Sequence, residues 1–195
     1  MITPVKFVEG EKVYLRPIEE QDLQLIYFGK NNPLVRETLF LFYPITLEQV
    51  KQEITTYITS KENLYFTIVE KKTDIPIGQT AFVRIDYVSR MATYFLAIYN
   101  PNYWSKGYGT EATKLMVEYG FDILNLNRIQ LHVAVENQFA VRAYKKCGFI
   151  IEGTLREAMY HHNKYCDFYL MSILRSEFYK MNVMDKKIKY KKEKK

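Results

Sequence analysis

The feature that most restricts the fold is a single change of hydrophobic period. From Leu64 to Tyr99 apolar residues recur at every second position, in LYFTIVEK, PIGQTAFVRID and MATYFLAIY, linked through Lys-Thr-Asp and Val-Ser-Arg. Runs of period two joined by short polar links predict three successive strands in an antiparallel meander. From Gly107 to Ile123 the period becomes helical, with Ala112, Leu115, Met116, Tyr119 and Ile123 at i, i+3, i+4, i+7 and i+11 as the expected apolar stripe. A meander feeding a helix excludes a sheet wound only from alternating strand and helix units.

The flanking segments fit the same plan. KVYLRP, residues 12–17, reads as an opening strand, and a helix follows from about Glu19 to Gly29 with Leu23, Ile26 and Tyr27 on one face. Asn31-Asn32-Pro33 stops it. Thr46-Leu47-Glu48-Gln49 has the form of a capping box, which predicts a second helix to about Ser60. VRETLFLFYP between them is aromatic without a clean period, and reads as a loop that either faces a substrate or packs half-buried. A strand RIQLHVAV, a helix QFAVRAYKKC and strands over Ile150–Tyr160 and Lys164–Leu174 complete the chain. The expectation is one α+β domain over residues 1–180, a mixed and mostly antiparallel central sheet flanked by helices, with a basic, flexible tail over 181–195.

Charge belongs to that tail. Residues 181–195 carry seven lysines against one aspartate and one glutamate, so most of the net charge of +6 lies there and the body is near neutral. Such a tail can hold phosphates in a salt-dependent way. With no nucleic-acid motif and Tyr190 as its only aromatic residue, it reads as a solvated terminus, and no nucleic-acid partner is expected. Cys147 and Cys166 form no CxxC pair and have no histidine at ligand spacing, so reduced thiols are expected, with neither a disulfide framework nor a zinc site. No apolar run approaches the roughly 18 residues of a membrane span, and MITPVKFVEGEK lacks a signal-peptide core. A cytoplasmic protein without a membrane partner is the expectation.

The chemistry is carried by PNYWSKGYGTEATKLM, residues 101–116, where Gly107 and Gly109 stand two apart at a helix entrance behind Lys106. Gly107 to Ala112 formally matches the dinucleotide fingerprint G-x-G-x-x-G/A, and Glu136 ends the next strand where a ribose-binding acid belongs. The context refuses that reading: seven residues, Asn100 to Lys106, separate the strand from the first glycine, and a meander precedes it. No Gly-Lys-Ser/Thr closes a Walker loop. Glycines that merely shape a turn are the plain alternative. Physically, an anion cradle remains: the free N–H groups of a first helical turn, Lys106 beside them and the Thr110 hydroxyl within reach.

YWSKGYGTEA, residues 103–112, resembles the Q/R-x-x-G-x-G/A acyl-CoA signature of the GNAT superfamily of N-acyltransferases, in its RimJ/RimL-like and spermidine-acetyltransferase-like branches. ENQFAVRAYKKCGFIIEGTLREAMY, residues 136–160, resembles the N-x-x-A/S-x-x-x-Y-x-K-x-G-F-x-x-E-G block of the same branches, and VYLRPIEEQD their first strand and turn. The resemblance spans about Val13 to Leu174. It departs at Trp104, which stands where the signature has Gln or Arg, removing one polar contact to a diphosphate and leaving the backbone cradle.

That resemblance implies acetyl-CoA as co-substrate, held by Trp104, Ser105, Lys106, Gly107, Tyr108, Gly109 and Thr110 around the diphosphate. It implies a V-shaped splay between the fourth and fifth predicted strands. The pantetheine arm would lie there against the backbone of Ala97, Ile98 and Tyr99, one N–H polarising the thioester carbonyl. Asn137 would meet the pantetheine, although on sequence alone it is equally an N-cap. Tyr144 would protonate the departing thiolate. A phenol with a reference pKa of roughly 10 keeps its proton at neutral pH, and transfer to a thiolate whose thiol sits near 8.5 is taken as favourable. The same residue belongs to an apolar helix face with Ala140, Ala143 and Cys147, and would otherwise read as core.

No general base is assigned. Tyr94 stands about where some family members carry a glutamate, and Glu37, Asp86 and Glu136 are further acids. His161 and His162 read as a polar turn with side chains on opposite sides, His132 as an interior histidine, and no metal is expected. The resemblance implies direct transfer to a primary amine in a ternary complex. The acceptor stays open among a protein N-terminus, a polyamine, an amino sugar and an aminoglycoside; a polyamine favours an acidic groove, which Arg36, Lys51 and Lys61 do not suggest. The rival is a non-catalytic acyl-CoA sensor, with the basic tail as a tether to RNA. A homodimer through exposed strand edges is compatible with the sequence.

Overall fold

A computed structural model describes residues 5–181. Eight strands form one sheet in the order β1-β2-β3-β4-β5-β6-β8-β7. They are β1 (Val8–Glu9), β2 (Val13–Arg16), β3 (Leu64–Glu70), β4 (Ile75–Asp86), β5 (Met91–Ile98), β6 (Arg128–Ala134), β7 (Ile150–His161) and β8 (Lys164–Leu174). All neighbours are antiparallel except β5 and β6. The meander is β3 to β5, as the alternation predicts.

The helices cover both faces. Helices α4 (Tyr108–Asp122) and α5 (Gln138–Lys146) pack Met116, Val117, Phe121, Val141 and Tyr144 onto one face of the sheet. Helices α1 (Leu23–Asn31), α2 (Pro33–Leu39) and α3 (Leu47–Thr59) pack Leu23, Ile26, Val35, Val50 and Ile54 onto the other, against Ala97 and Tyr99 of β5 and the residue after it. A strand has side chains on alternate faces, so β5 serves both cores, with Leu96 and Ile98 on the α4 side.

Local chemistry sets the element ends. The Thr46 hydroxyl accepts from Gln49 N–H while the Gln49 side chain accepts from Thr46 N–H, the predicted capping box. The first helix is shorter than expected: Glu20–Asp22 is a 3-10 turn, because Asp22 is drawn inward by Arg16. The buried Arg16 guanidinium donates to both Asp22 oxygens at 2.7 Å, and the Thr67 hydroxyl adds a third donor at 2.8 Å. This pairing satisfies a charge that burial would otherwise penalise by several kcal/mol. It fixes α1 to the opening strand.

Three expectations about segments are corrected. Half of VRETLFLFYP is helix α2: Asn32 caps it, accepting from Leu34 N–H, and Pro33 takes the first-turn position. The buried stripe of α4 is rotated from the expected one, running through Ala112, Thr113, Met116, Val117, Gly120 and Phe121, while Ile123 is exposed. Thr113 tolerates burial because its hydroxyl donates to Gly109 O at 2.7 Å and receives from the Tyr94 hydroxyl at 3.1 Å. His132 is exposed on β6 rather than interior. The basic tail lies outside the described residues, apart from its first residue Met181.

Candidate active site

The site begins where β5 and β6 part. Their parallel pairing covers only Met91 with Arg128, Ala92 with Ile129 and Thr93 with Gln130. Beyond Thr93 the strands diverge, while β5 stays paired with β4 as far as Ile98. This is the predicted splay, and it exposes one backbone edge of β5 inside an otherwise continuous sheet.

Which backbone groups face that gap follows from strand alternation. Tyr99 N–H donates to Ile77 O at 2.9 Å, inside the β4 side of the ladder. Tyr99 and Ala97 therefore spend their amides on β4, and Leu96 and Ile98 present theirs to the gap. This corrects the expectation for Ala97 and Tyr99 and adds Leu96, which sequence reasoning missed because hydrogen-bond parity depends on register. The Ile98 carbonyl is itself occupied, accepting from the Trp104 indole N–H at 2.9 Å. The gap-side donors at this end of β5 with no partner among the described residues are the Leu96 and Ile98 N–H groups.

The cradle lies at the same end of the strand. Ser105 and Gly107 are both left-handed, at φ 60 and φ 89, on either side of Lys106, and this alternation makes a concavity of amides. The first helical bond of α4 runs from Glu111 N–H to Gly107 O, so the N–H groups of Tyr108, Gly109 and Thr110 have no partner among the described residues. No side chain caps them. Gly107 meets the φ requirement, and Gly109 meets a spatial one: a Cβ there would stand 3.2 Å from Leu96 Cδ2, so the missing side chain lets α4 press onto the strand beside the gap. The Lys106 ammonium lies over the Tyr103 ring at 5.7 Å. The Tyr108 hydroxyl donates to Glu70.

Three lysines that sequence reading passed over join this cradle. A cavity of about 450 Å³ is lined by Lys12, Lys71, Lys72 and Lys106 with Glu11, Glu70 and Tyr108. Lys12 Nζ donates to Lys106 O at 3.3 Å. These lysines come from the start of β2 and the β3–β4 turn, so only sheet topology brings them to the α4 entrance. A second cavity, about 630 Å³, lies among Lys30, Phe40–Ile45, Gln49, Gln52, Glu53, Thr56 and Tyr57, and shares no residue with the cradle or the gap.

Tyr144 sits under the sheet on α5, its ring against Tyr94 at 6.3 Å and Phe149 at 5.8 Å. Its hydroxyl has no hydrogen-bond partner among the described residues, yet the only fully enclosed side-chain polar atom lacking one there is Gln79 Nε2. The Tyr144 hydroxyl is therefore unpartnered and open to solvent at its tip, with the rest of the ring buried. Burial raises its pKa above the ordinary value. This corrects the expected energetics: the thiol near 8.5 is the stronger acid, so complete transfer to a free thiolate is uphill. A phenol with a raised pKa is better suited to donating a hydrogen bond to an atom on which negative charge is still forming than to complete proton transfer.

The remaining candidates fall elsewhere. Asn137 caps α5, its Oδ1 accepting from Ala140 N–H at 3.1 Å, which leaves its NH₂ group available. Tyr94 is sealed between the Thr80 and Thr113 hydroxyls, each at 3.1 Å, and burial raises its pKa, so it is no base. Asp86 accepts from Val88 and Ser89 N–H at the far end of the meander. Glu136 pairs with Lys164 at 2.7 Å. His161 and His162 do not point apart: their ring centroids are 4.1 Å apart, because His162 and Asn163 take left-handed turn conformations at φ 49 and φ 59. Both approach Glu37.

A splayed parallel strand pair, an amide cradle at the end of one of those strands and a phenol packed against Tyr94 of that strand are features a coenzyme A thioester transferase would use. A model of the acetyltransferase (GNAT) domain family matches residues 12–150, and the chain belongs to that family. It is similar to the spermidine N(1)-acetyltransferase of Vibrio cholerae, 32% identical over 87% of this chain and 96% of the relative. The Escherichia coli spermidine N(1)-acetyltransferase is 31% identical over 87% and 89%. A crystal structure of the Vibrio cholerae enzyme with CoA and spermine superposes with a TM-score of 0.79 at 31% identity, covering 86% of this chain and 98% of that one. The protein is an acetyl-CoA-dependent N-acetyltransferase. Among the described residues no helix is long and apolar enough to cross a membrane.

Proposed function

We propose that the chain transfers acetyl from acetyl-CoA to a primary amine of a polyamine, by direct attack in a ternary complex. The observation that carries the transfer chemistry is the open β5 edge: Ile98 N–H, with its own carbonyl tied back by Trp104, is a fixed donor for the thioester oxygen as it becomes an oxyanion. The diphosphate would rest on the amides of Tyr108, Gly109 and Thr110, with Ser105, Gly107 and Lys106 shaping the approach. The lysine-lined cavity beside them suits the remaining phosphate of coenzyme A. The Asn137 amide NH₂ would meet the pantetheine. The neutral amine would attack the thioester carbon, Tyr144 would donate to sulfur as the C–S bond breaks, and the proton shed by nitrogen as the amide forms balances the one taken up by the departing thiolate.

The polyamine reading rests on the named relatives and on charge. Of the cations that argued against an acidic groove, Lys51 lies 3.9 Å from Glu20 and Arg36 donates to the carbonyls of Leu41 and Phe42, while Lys61 has no acidic partner among the described residues; Lys30 beside them pairs with Glu53. A free-thiol assay with acetyl-CoA against spermidine, amino sugars, aminoglycosides and peptide N-termini tests it. Spermidine should give the highest kcat/KM. A preference for a peptide N-terminus or an amino sugar would retain the enzyme and overturn the acceptor, and CoA binding without thiol release from any amine would favour the sensor.

A further inference from the structure

We infer that Glu37, His161 and His162 form a binding site for a zinc-type divalent metal. Their ligand atoms all lie within 4.8 Å of one another. His162 Nε2 stands 2.8 Å and 3.0 Å from the two Glu37 oxygens, and His161 Nε2 lies 3.8 Å from Glu37 Oε2. Tetrahedral zinc, with ligand bonds near 2.1 Å, holds its donors about 3.4 Å apart, so the His162–Glu37 pair stands slightly inside that spacing and the His161–Glu37 pair slightly outside it. Two imidazoles and one carboxylate, with a fourth position left to water, is a donor set that zinc accepts.

The sequence alone hides this arrangement, since Glu37 is on α2 and the histidines are at the β7–β8 turn. Two features prepare it. The left-handed His162-Asn163 turn swings both imidazoles to one side of the hairpin. The His161 ring is held by Phe40 at 5.0 Å and Phe42 at 5.9 Å, which limits the rotamer freedom a metal would otherwise have to remove. The ion would tie the tip of the hairpin to α2, near the contact of Phe40, just after that helix, with Phe168 of β8 at 4.9 Å. Nitrogen-rich donors favour zinc, nickel or copper over manganese or magnesium, so the site is selective by its chemistry.

The test is calorimetric titration of the untagged full chain with zinc chloride, and with manganese chloride for comparison. One zinc per chain should bind, manganese should bind at least tenfold more weakly, and zinc should raise the melting temperature. Glu37→Gln, His161→Ala and His162→Asn should each weaken zinc at least tenfold. His162 is 67% exposed in its side chain, so its variant folds irrespective of the metal and keeps the test decisive. Cobalt substitution should give the intense visible absorption of a four-coordinate ion, lost in the same variants. Absent zinc binding, or binding unchanged by all three substitutions, would reduce the cluster to a histidine–glutamate ion pair.

Discussion

The Trp104 indole N–H donates to the Ile98 carbonyl at 2.9 Å, fastening the loop that carries the amide cradle to the strand that borders the gap. The side chain that departs from the family signature has thus become a strut. Trp104→Phe keeps the ring and removes the bond. A net hydrogen bond is worth about 0.5–1.5 kcal/mol, so acetyl-CoA affinity should fall by about 2- to 10-fold by calorimetry. Unchanged affinity would mean that the loop holds its place without the strut.

Tyr144→Phe preserves the packing against Tyr94 and Phe149 and deletes the open hydroxyl. Turnover should fall by about 10²- to 10⁴-fold with little change in acetyl-CoA binding. Burial raises the phenol pKa, so its proton is retained at higher pH than in water. Its ionisation should therefore produce no alkaline fall in kcat below about pH 10. Near-normal turnover in the variant removes Tyr144 from the mechanism.

Gly107→Ala places a Cβ on a residue at φ 89. The left-handed conformation costs a non-glycine residue roughly 1–2 kcal/mol. A lower melting temperature and weaker acetyl-CoA binding are expected together, since the same backbone shapes both the helix entrance and the cradle.

The lysine cavity predicts discrimination for the phosphate on the coenzyme ribose. Lys12→Ala and Lys72→Ala should weaken CoA more than dephospho-CoA, measured side by side, and reduce the salt dependence of CoA binding. Equal losses for both ligands would move that phosphate elsewhere.

Glu152 binds β6, β7 and β8 together, accepting from Arg128 at 2.7 Å and from the Ser172 hydroxyl at 2.7 Å. The Arg128 guanidinium, with Ser172 second, holds its carboxyl at about 2. A depressed folded-state pKa gives stability that is full above the unfolded value near 4.3 and is lost as pH falls toward 2. The pair is partly exposed, which limits the gain to about 1 kcal/mol. Denaturant midpoints between pH 5 and 2.5 should fall in the wild type and flatten in Glu152→Gln.

Much of the fold was legible because period and capping are local. The meander, the Thr46 capping box and the glycine pair are each written in a few adjacent residues. What escaped depends on distance or register. Asn32 and Pro33 carried a start signal for α2, masked by the aromatic run that follows. The α4 stripe was misplaced because Thr113 is buried through a hydroxyl partner on β5 that periodicity cannot see. Leu96 replaces Ala97 and Tyr99 at the gap because backbone parity follows from one bond to Ile77. Lys12, Lys71 and Lys72 meet Lys106 only after the sheet has formed.

The central claim is direct acetyl transfer on the open edge of β5, with Tyr144 as donor. Its most direct measurement follows thiol release and product mass in one reaction with acetyl-CoA and spermidine, for the wild type and Tyr144→Phe. Equal amounts of free coenzyme A and monoacetylated spermidine are expected, with no acetylated enzyme when the amine is omitted and a slowed variant that still binds acetyl-CoA. An acetyl group on the protein before amine is added, or a variant that turns over normally, would contradict it.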